Sequence, residues 1–242
     1  MPKVSAKNSI ILINGYNFST YYNSFDVENS INPVDVTGFT DVSKNYVPGI
    51  YSGKISGNVF WDSAALKTHA ALKSMPTGYV TIIPEGYVLG NSSISLPFMQ
   101  AQYNPKGSPD AAIEIGTLDF ESYGADSAVT SGAMLQHGTI TATTTTTSVL
   151  DLLDAAVTAK CSATLHIWTA CATDTYVVKV QHSTAVATGF ADLITFTANG
   201  SAITAERQAV ASGTVNKYRR VVATRTGAAG NTFGFSVHFE HA

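Results

Sequence analysis

Asp35-Val36-Thr37-Gly38-Phe39-Thr40-Asp41, continued by Tyr46-Val47-Pro48-Gly49-Ile50 and then by the alternating run 52–61, decides how this chain is read. The first part reads as a long polar loop, about 32–52, set between two β-runs. In a compact domain a loop of that length is functional or disordered. Phe39, Tyr46 and Tyr51 beside Pro48-Gly49 mark it as an arm that docks on something, because a solvated linker carries fewer rings. In 52–61, Ile55, Gly57, Val59 and Trp61 share one face and Lys54, Ser56 and Asn58 the other, the period of a half-buried strand.

On the amino-terminal side, Ser9-Ile10-Ile11-Leu12-Ile13 and Tyr16-Asn17-Phe18 flank Asn14-Gly15. Both turn residues tolerate positive φ, so the segment is a hairpin. Phe25, Val27 and residues 29–31 continue as a strand that Pro33 ends. On the carboxy-terminal side, Asp62-Ser63 offers an N-cap for a helix over 64–73 with Ala65, His69 and Leu72 on one face. Strands follow at 79–83, from Ile94 to Tyr103 and at 113–122, with turns at Pro84-Glu85-Gly86 and Asn104-Pro105-Lys106-Gly107.

Residues 124–138 are rich in Ala, Ser and Gly and read as a linker. Seven threonines in 139–147 read as an edge strand or an extended connector. Beyond them lie short alternating strands: Leu165 with Ile167; Tyr176, Val178, Val180 and His182; Leu193 and Phe196; 207–210; then Tyr218, Arg220, Val222 and Thr224. Last come Phe233, Phe235, Val237 and Phe239, facing inward, with Ser236, His238 and Glu240 outward. Such strands with regular turns indicate a sandwich or jelly roll.

Of 242 residues only 13% are charged and 45% are hydrophobic, so much of the surface is expected to be covered by copies of the chain itself. Residues 1–132 hold seven Lys, no Arg and eleven Asp or Glu, and every arginine lies in 133–242. This break supports two domains, 1–132 and 133–242, and argues against a basic reader of nucleic acid. No run of 18 apolar residues exists, so no membrane span is expected. Cys161 and Cys171 are read as buried, reduced thiols. No G-x-S-x-G, P-loop or zinc spacing of His and Cys occurs. The expectation is accordingly no enzyme, with no catalytic residue, cofactor or metal. Glu114, Asp119 and Glu121 read as an acidic stripe rather than a glycosidase pair, and Trp168, Tyr176 and Tyr218 are rings of the type that stacks on sugars.

The segment 12–61 resembles the amino-terminal region of phage major tail (tail tube) proteins: a short hairpin, the run Asp35-Val36-Thr37-Gly38-Phe39, the loop Tyr46-Val47-Pro48-Gly49 and then a long strand. The order of pieces over 8–123 is similar to the tail tube domain, a β-sandwich with one flanking helix. The runs 176–183, 190–196 and 215–227 resemble sandwich domains appended to tail and virion proteins. The resemblance implies an all-β, mainly antiparallel chain made in the bacterial host cytoplasm and residing in the virion tail. It implies hexameric rings stacked into a tube that conducts DNA without sequence preference. Val36, Thr37, Phe39, Tyr46, Pro48 and Tyr51 would form the contact between rings, and strands 52–61 and 94–103 would line them. Asp62, Glu114, Asp119 and Glu121 are the candidate acidic lumen residues. The tail residues 2–9 would order on the next ring, and 133–242 would decorate the outside and be dispensable for assembly. Other partners would be the tape measure, terminator and tip proteins. The alternatives are a capsid decoration or head-fibre protein, or a carbohydrate- or receptor-binding tail module.

Overall fold

The computed structural model describes residues 6–124, 129–142, 144–145, 149–151, 157–158, 160–210, 213–227 and 230–241. After a 3-10 turn at Ala6–Asn8 the chain order is β1 (Ile10–Ile13), β2 (Tyr16–Asn17), β3 (Tyr22–Ile31), β4 (Val34–Asp35), β5 (Tyr46–Val47), β6 (Tyr51–Phe60), α1 (Thr68–Leu72), β7 (Thr77–Ile83), β8 (Ser92–Lys106), β9 (Glu114–Ser122) and β10 (Thr130–Ile140). There follow β11 (Thr144–Thr145), β12 (Leu150–Asp151), β13 (Val157–Thr158), β14 (Cys161–Thr169), β15 (Thr175–Ser183), β16 (Ala191–Thr195), β17 (Thr204–Val210), β18 (Thr214–Val215), β19 (Tyr218–Thr226) and β20 (Phe233–His241). The chain is all-β and the paired strands are antiparallel, as the alternation implies.

Two compact units result: residues 1–19, 79–95 and 130–242 form one, and 20–78 with 96–129 the other. The division differs from a cut at residue 132, which falls inside β10. The stretch read as a linker is a central strand, paired with β8 on one side and β20 on the other. Its small residues reflect crowding. A Cβ on Gly132 would sit 2.2 Å from the Phe239 carbonyl oxygen, so only glycine fits.

In the first unit one sheet runs β17-β14-β20-β10-β8-β7-β1-β2 and a second runs β11-β19-β15-β16. Cys161, Ala163, Leu165 and Ile167 of β14 and Phe233, Phe235, Val237 and Phe239 of β20 pack with Tyr176, Val178 and Val180 of β15 and with Val221 and Ala223 of β19. This is the sandwich core. Phe235→Ala is expected to cost about 3–5 kcal/mol, because the ring is deeply buried and its neighbours collapse only partly. A urea midpoint unchanged from wild type would refute this packing.

The opposite faces of β14 and β20 are buried as well. Ser162, Thr164, His166, Ser236, His238 and Glu240 are all nearly inaccessible, so Ser236, His238 and Glu240 do not face water as the alternation implied. The sheet curls until the Asn14-Gly15 turn returns to β14. Gly15 has φ +90, and a Cβ there would meet the Thr204 and Ile167 backbone within 2.7 Å. Most of these inner polar groups bond to one another, as buried polar groups must, while His238 Nε2 and Glu240 Oε2 face each other at 3.6 Å, beyond hydrogen-bond length. Thr81 and Ser95 bond to each other, and Ser93 meets His238 at 2.6 Å.

The second unit holds the sheet β3-β6-β9-β8 over a core of Ile55, Val59, Leu72, Met75, Phe98, Ile115, Leu118 and Phe120. The helix covers only five of the ten residues expected. Asp62 Oδ1 accepts from the Ala64 amide, and Leu66 adopts φ 64, which a helix cannot hold. Helical geometry therefore begins at Thr68, whose hydroxyl donates to the Phe60 carbonyl. The turn expected at 104–107 is instead the end of β8. Pro105 is accommodated where the register against β9 shifts.

Candidate assembly surface

The stretch 32–52 is a β-hairpin rather than a loop. Ile31 pairs with Tyr51, the Asn32 amide donates to the Ile50 carbonyl, and Val34 and Asp35 pair with Val47 and Tyr46. The arm thus prolongs the β3–β6 pair, with a one-residue register change at Pro33 and Pro48-Gly49, where prolines withhold donors. Its tip is tied locally. Thr37 N donates to Asp35 Oδ1 at 2.9 Å, Asn45 N to Thr37 Oγ1 at 2.9 Å, and Gly38 N to Asp41 Oδ2 at 2.8 Å. Hydrogen bonds from the Thr37 hydroxyl and amide hold the Asp35 carboxyl below its usual range.

The residues that the sequence singled out in this arm are exposed. Phe39 is as open as in an extended peptide (113%), Val42 likewise, Ile50 is largely open, and Val34, Val36, Tyr46, Val47 and Tyr51 are about half open. Thr37 and Pro48 are exposed too. The described residues of its unit leave these apolar side chains of the hairpin uncovered.

The sheet of the second unit has one apolar and one polar face. On the polar face Asp26 stands opposite Ser56, Glu28 opposite Lys54, and Lys54 and Ser56 opposite Glu121 and Asp119. The carboxylates of Asp119, Glu121 and Glu28 all act on the Lys54 ammonium. Lys54 Nζ lies 2.8 Å from Asp119 Oδ2. The bond to Asp119 raises the Lys54 pKa, burial opposes it, and the charges of Asp119, Glu121 and Glu28 add to the rise. Of the candidate acidic residues, Asp119 and Glu121 belong to this face, and Glu114 lies at the far end of β9, next to inward Ile115. Asp62 does not: it follows β6 and receives the Tyr21 hydroxyl at 3.1 Å. Asp26 and Glu28 were not singled out. Their alternation with Phe25 and Val27 was the signal that could have found them.

Two edges bound this sheet. β3 pairs with β6 alone, and beyond Gln100, whose amide meets the Pro76 carbonyl, the end of β8 pairs with β9 alone among the described residues. Unpaired strand edges template the addition of further strands.

The remaining candidates resolve differently. Tyr176 is inside the core, stacked on Phe233 at 4.4 Å, while Trp168 and Tyr218 are partly exposed. Each arginine of 133–242 has a partner within the chain. Arg207 bonds Glu240, Arg225 bonds Asp174 at 2.8 Å, Arg219 is buried over the Phe239 ring, and Arg220 lies over Phe190. Cys161 and Cys171 are buried and unbridged. Residues 1–5 of the tail lie outside the described residues, and Ser9 Oγ donates to the Pro84 carbonyl. Among the described residues no group of three His, Cys, Asp or Glu is placed to hold a metal, and no helix is long and apolar enough to cross a membrane.

The chain is similar to solved structures from a native gene transfer agent virion and from an empty gene transfer agent tail with sixfold symmetry. Each is 18% identical, with a TM-score of 0.42 over 51% of this chain and 96% of that one. It is also similar to the Dit protein of phage SPP1, described as the hub of an adsorption apparatus, at 10% identity and a TM-score of 0.37 over 97% of this chain and 99% of that one. No family model matches the chain, and neither does any curated protein.

Proposed function

We propose that the chain is a structural subunit of a phage tail that assembles head to tail into rings, six copies in the family its sequence resembles, and that the rings stack into the tube. The observation that carries this reading is the four-stranded sheet of the second unit, open at β3 and at the end of β8, with an exposed apolar hairpin rooted in it. Pairing β3 of one copy with β8 of the next is a heterologous contact. Repeated around a closed symmetry it leaves no edge unpaired. The arm then reaches the neighbouring ring through Val36, Phe39, Tyr46 and Tyr51, with Thr37 and Pro48 fixing its shape. Tape measure, terminator and tip proteins would occupy the two ends and the interior of the tube.

The polar face of β3, β6 and β9 would line the lumen. Carboxylates there repel phosphates, whereas clustered cations would hold DNA by releasing its counterions. Glu28→Lys with Glu121→Lys reverses the sign of this face. Assembled variant is expected to retain duplex DNA on filters at low salt and to release it as salt rises, while wild type retains none. Equal retention by both would remove the face from the lumen.

Negative-stain images of concentrated, purified protein test the whole reading. Rings and tubes are expected; isolated small particles at every concentration would favour a decoration or head-fibre role instead.

A further inference from the structure

The buried inner face of the first unit is built around His166. The ring is fully inaccessible. Gly15 N–H donates to Nδ1 at 3.2 Å, and Thr81 Oγ1 lies 2.9 Å from Nε2. A backbone amide can only donate, so Nδ1 must keep its lone pair and the proton must sit on Nε2, donated to Thr81. Only the neutral ring satisfies both partners. A second proton on Nδ1 would point at the Gly15 N–H and leave both groups buried without an acceptor, which the inner face cannot absorb.

We propose that His166 is an acid-released latch, whose protonation frees the amino-terminal hairpin β1–β2 from β14. The turn carries Gly15 against His166, β7 brings Thr81 and β8 brings Ser95, all uncharged. From β20 comes His238, whose positive charge, when present, opposes a proton on His166. Further along the same face Glu240 is bonded to Arg207 of β17 and to Ser162, and it lies 3.6 Å from the His238 ring. His137 of β10 bonds Ser236 at 2.6 Å. None of these carboxylates or hydroxyls is bonded to the Nδ1 side of His166, so nothing at that side rewards its charging.

Burial, with His238 second, pushes the His166 pKa down to about 3. A released, solvated ring has the ordinary value near ~6.5. Above pH ~6.5 both states are neutral and the latch holds fully. As pH falls from there toward 3 only the released state takes up the proton, so closure is lost progressively on acidification. The latch rests on this geometry alone and holds whether or not the chain forms tubes.

The test is amide exchange on the full chain from pH 7.5 to 4.5, expressed as protection so that the intrinsic rate cancels. In wild type, protection of Gly15 and its β1–β2 neighbours is expected to fall about tenfold per pH unit below ~6.5. In His166→Gln, whose amide can accept from Gly15 and donate to Thr81 without titrating, it is expected to stay flat. A flat wild-type profile, or a variant falling as steeply as wild type, overturns the proposal. Should the variant not fold, the ring nitrogens of His166 in wild type decide by NMR. A neutral ring with its proton on Nε2 at pH 5 upholds the latch, and a doubly protonated ring in the closed chain overturns it.

Discussion

Deleting residues 39–46 leaves a soluble, folded chain that no longer builds long tubes. The deletion removes the hairpin tip, with the fully open rings and methyls of Phe39 and Val42, and takes nothing from the core of the second unit. Folding stability should therefore change by under about 1 kcal/mol, the usual range for a surface change away from packed features. Assembly should change by far more. Burying a Phe or Val side chain contributes about 1.5–3 kcal/mol, and every copy in a ring repeats the contact. Single rings or lone chains are the expected species in electron micrographs. Tubes of normal length after the deletion would show that the arm does not stack rings.

Removing residues 133–242 should abolish folding of the first unit rather than trim a decoration. The cut falls within β10 and takes β14, β15, β19 and β20 with it, the strands that supply the sandwich core. Ile11, Leu12, Ile13, Val80, Ile82 and Ile83, buried in the intact chain, would be left on two short strands in water. At about 1.5–3 kcal/mol each, their exposure is comparable to the whole 5–15 kcal/mol by which a domain is held. Insoluble protein, or soluble protein whose residues 6–19 and 79–95 exchange their amides at the unfolded rate, is expected. A soluble truncated chain with those amides protected would contradict the assignment of 1–19, 79–95 and 130–242 to one unit. This expectation reverses the one drawn from composition, because the arginine-bearing half is interior structure in this unit.

Strand positions were legible wherever bulky β-branched and aromatic residues alternate, as at Phe233, Phe235, Val237 and Phe239. Alternation gives the face and not what covers it. Ser236, His238 and Glu240 have the polarity of a solvent face and instead meet Ser93, His137, Arg207 and Ser162, brought in from 33 to 145 positions away, a closure no local pattern encodes. β10 escaped because close backbone approach selects Gly and Ala, the composition of a linker. The arm was read correctly as exposed and aromatic but wrongly as a loop. Pro33 and Pro48 break the ladder by one residue without ending it. The acidic stripe of Asp119 and Glu121 was visible on β9, whereas its partners Asp26 and Glu28 required the β3–β6 register.

Amide exchange along β3, followed as protein concentration is raised, tests the ring most directly. Among the described residues no strand lies beside the β3 amides that do not bond to β6. Their protection should climb with concentration until it matches that of β6. Unchanged, rapid exchange of those amides at every concentration would contradict strand addition between copies.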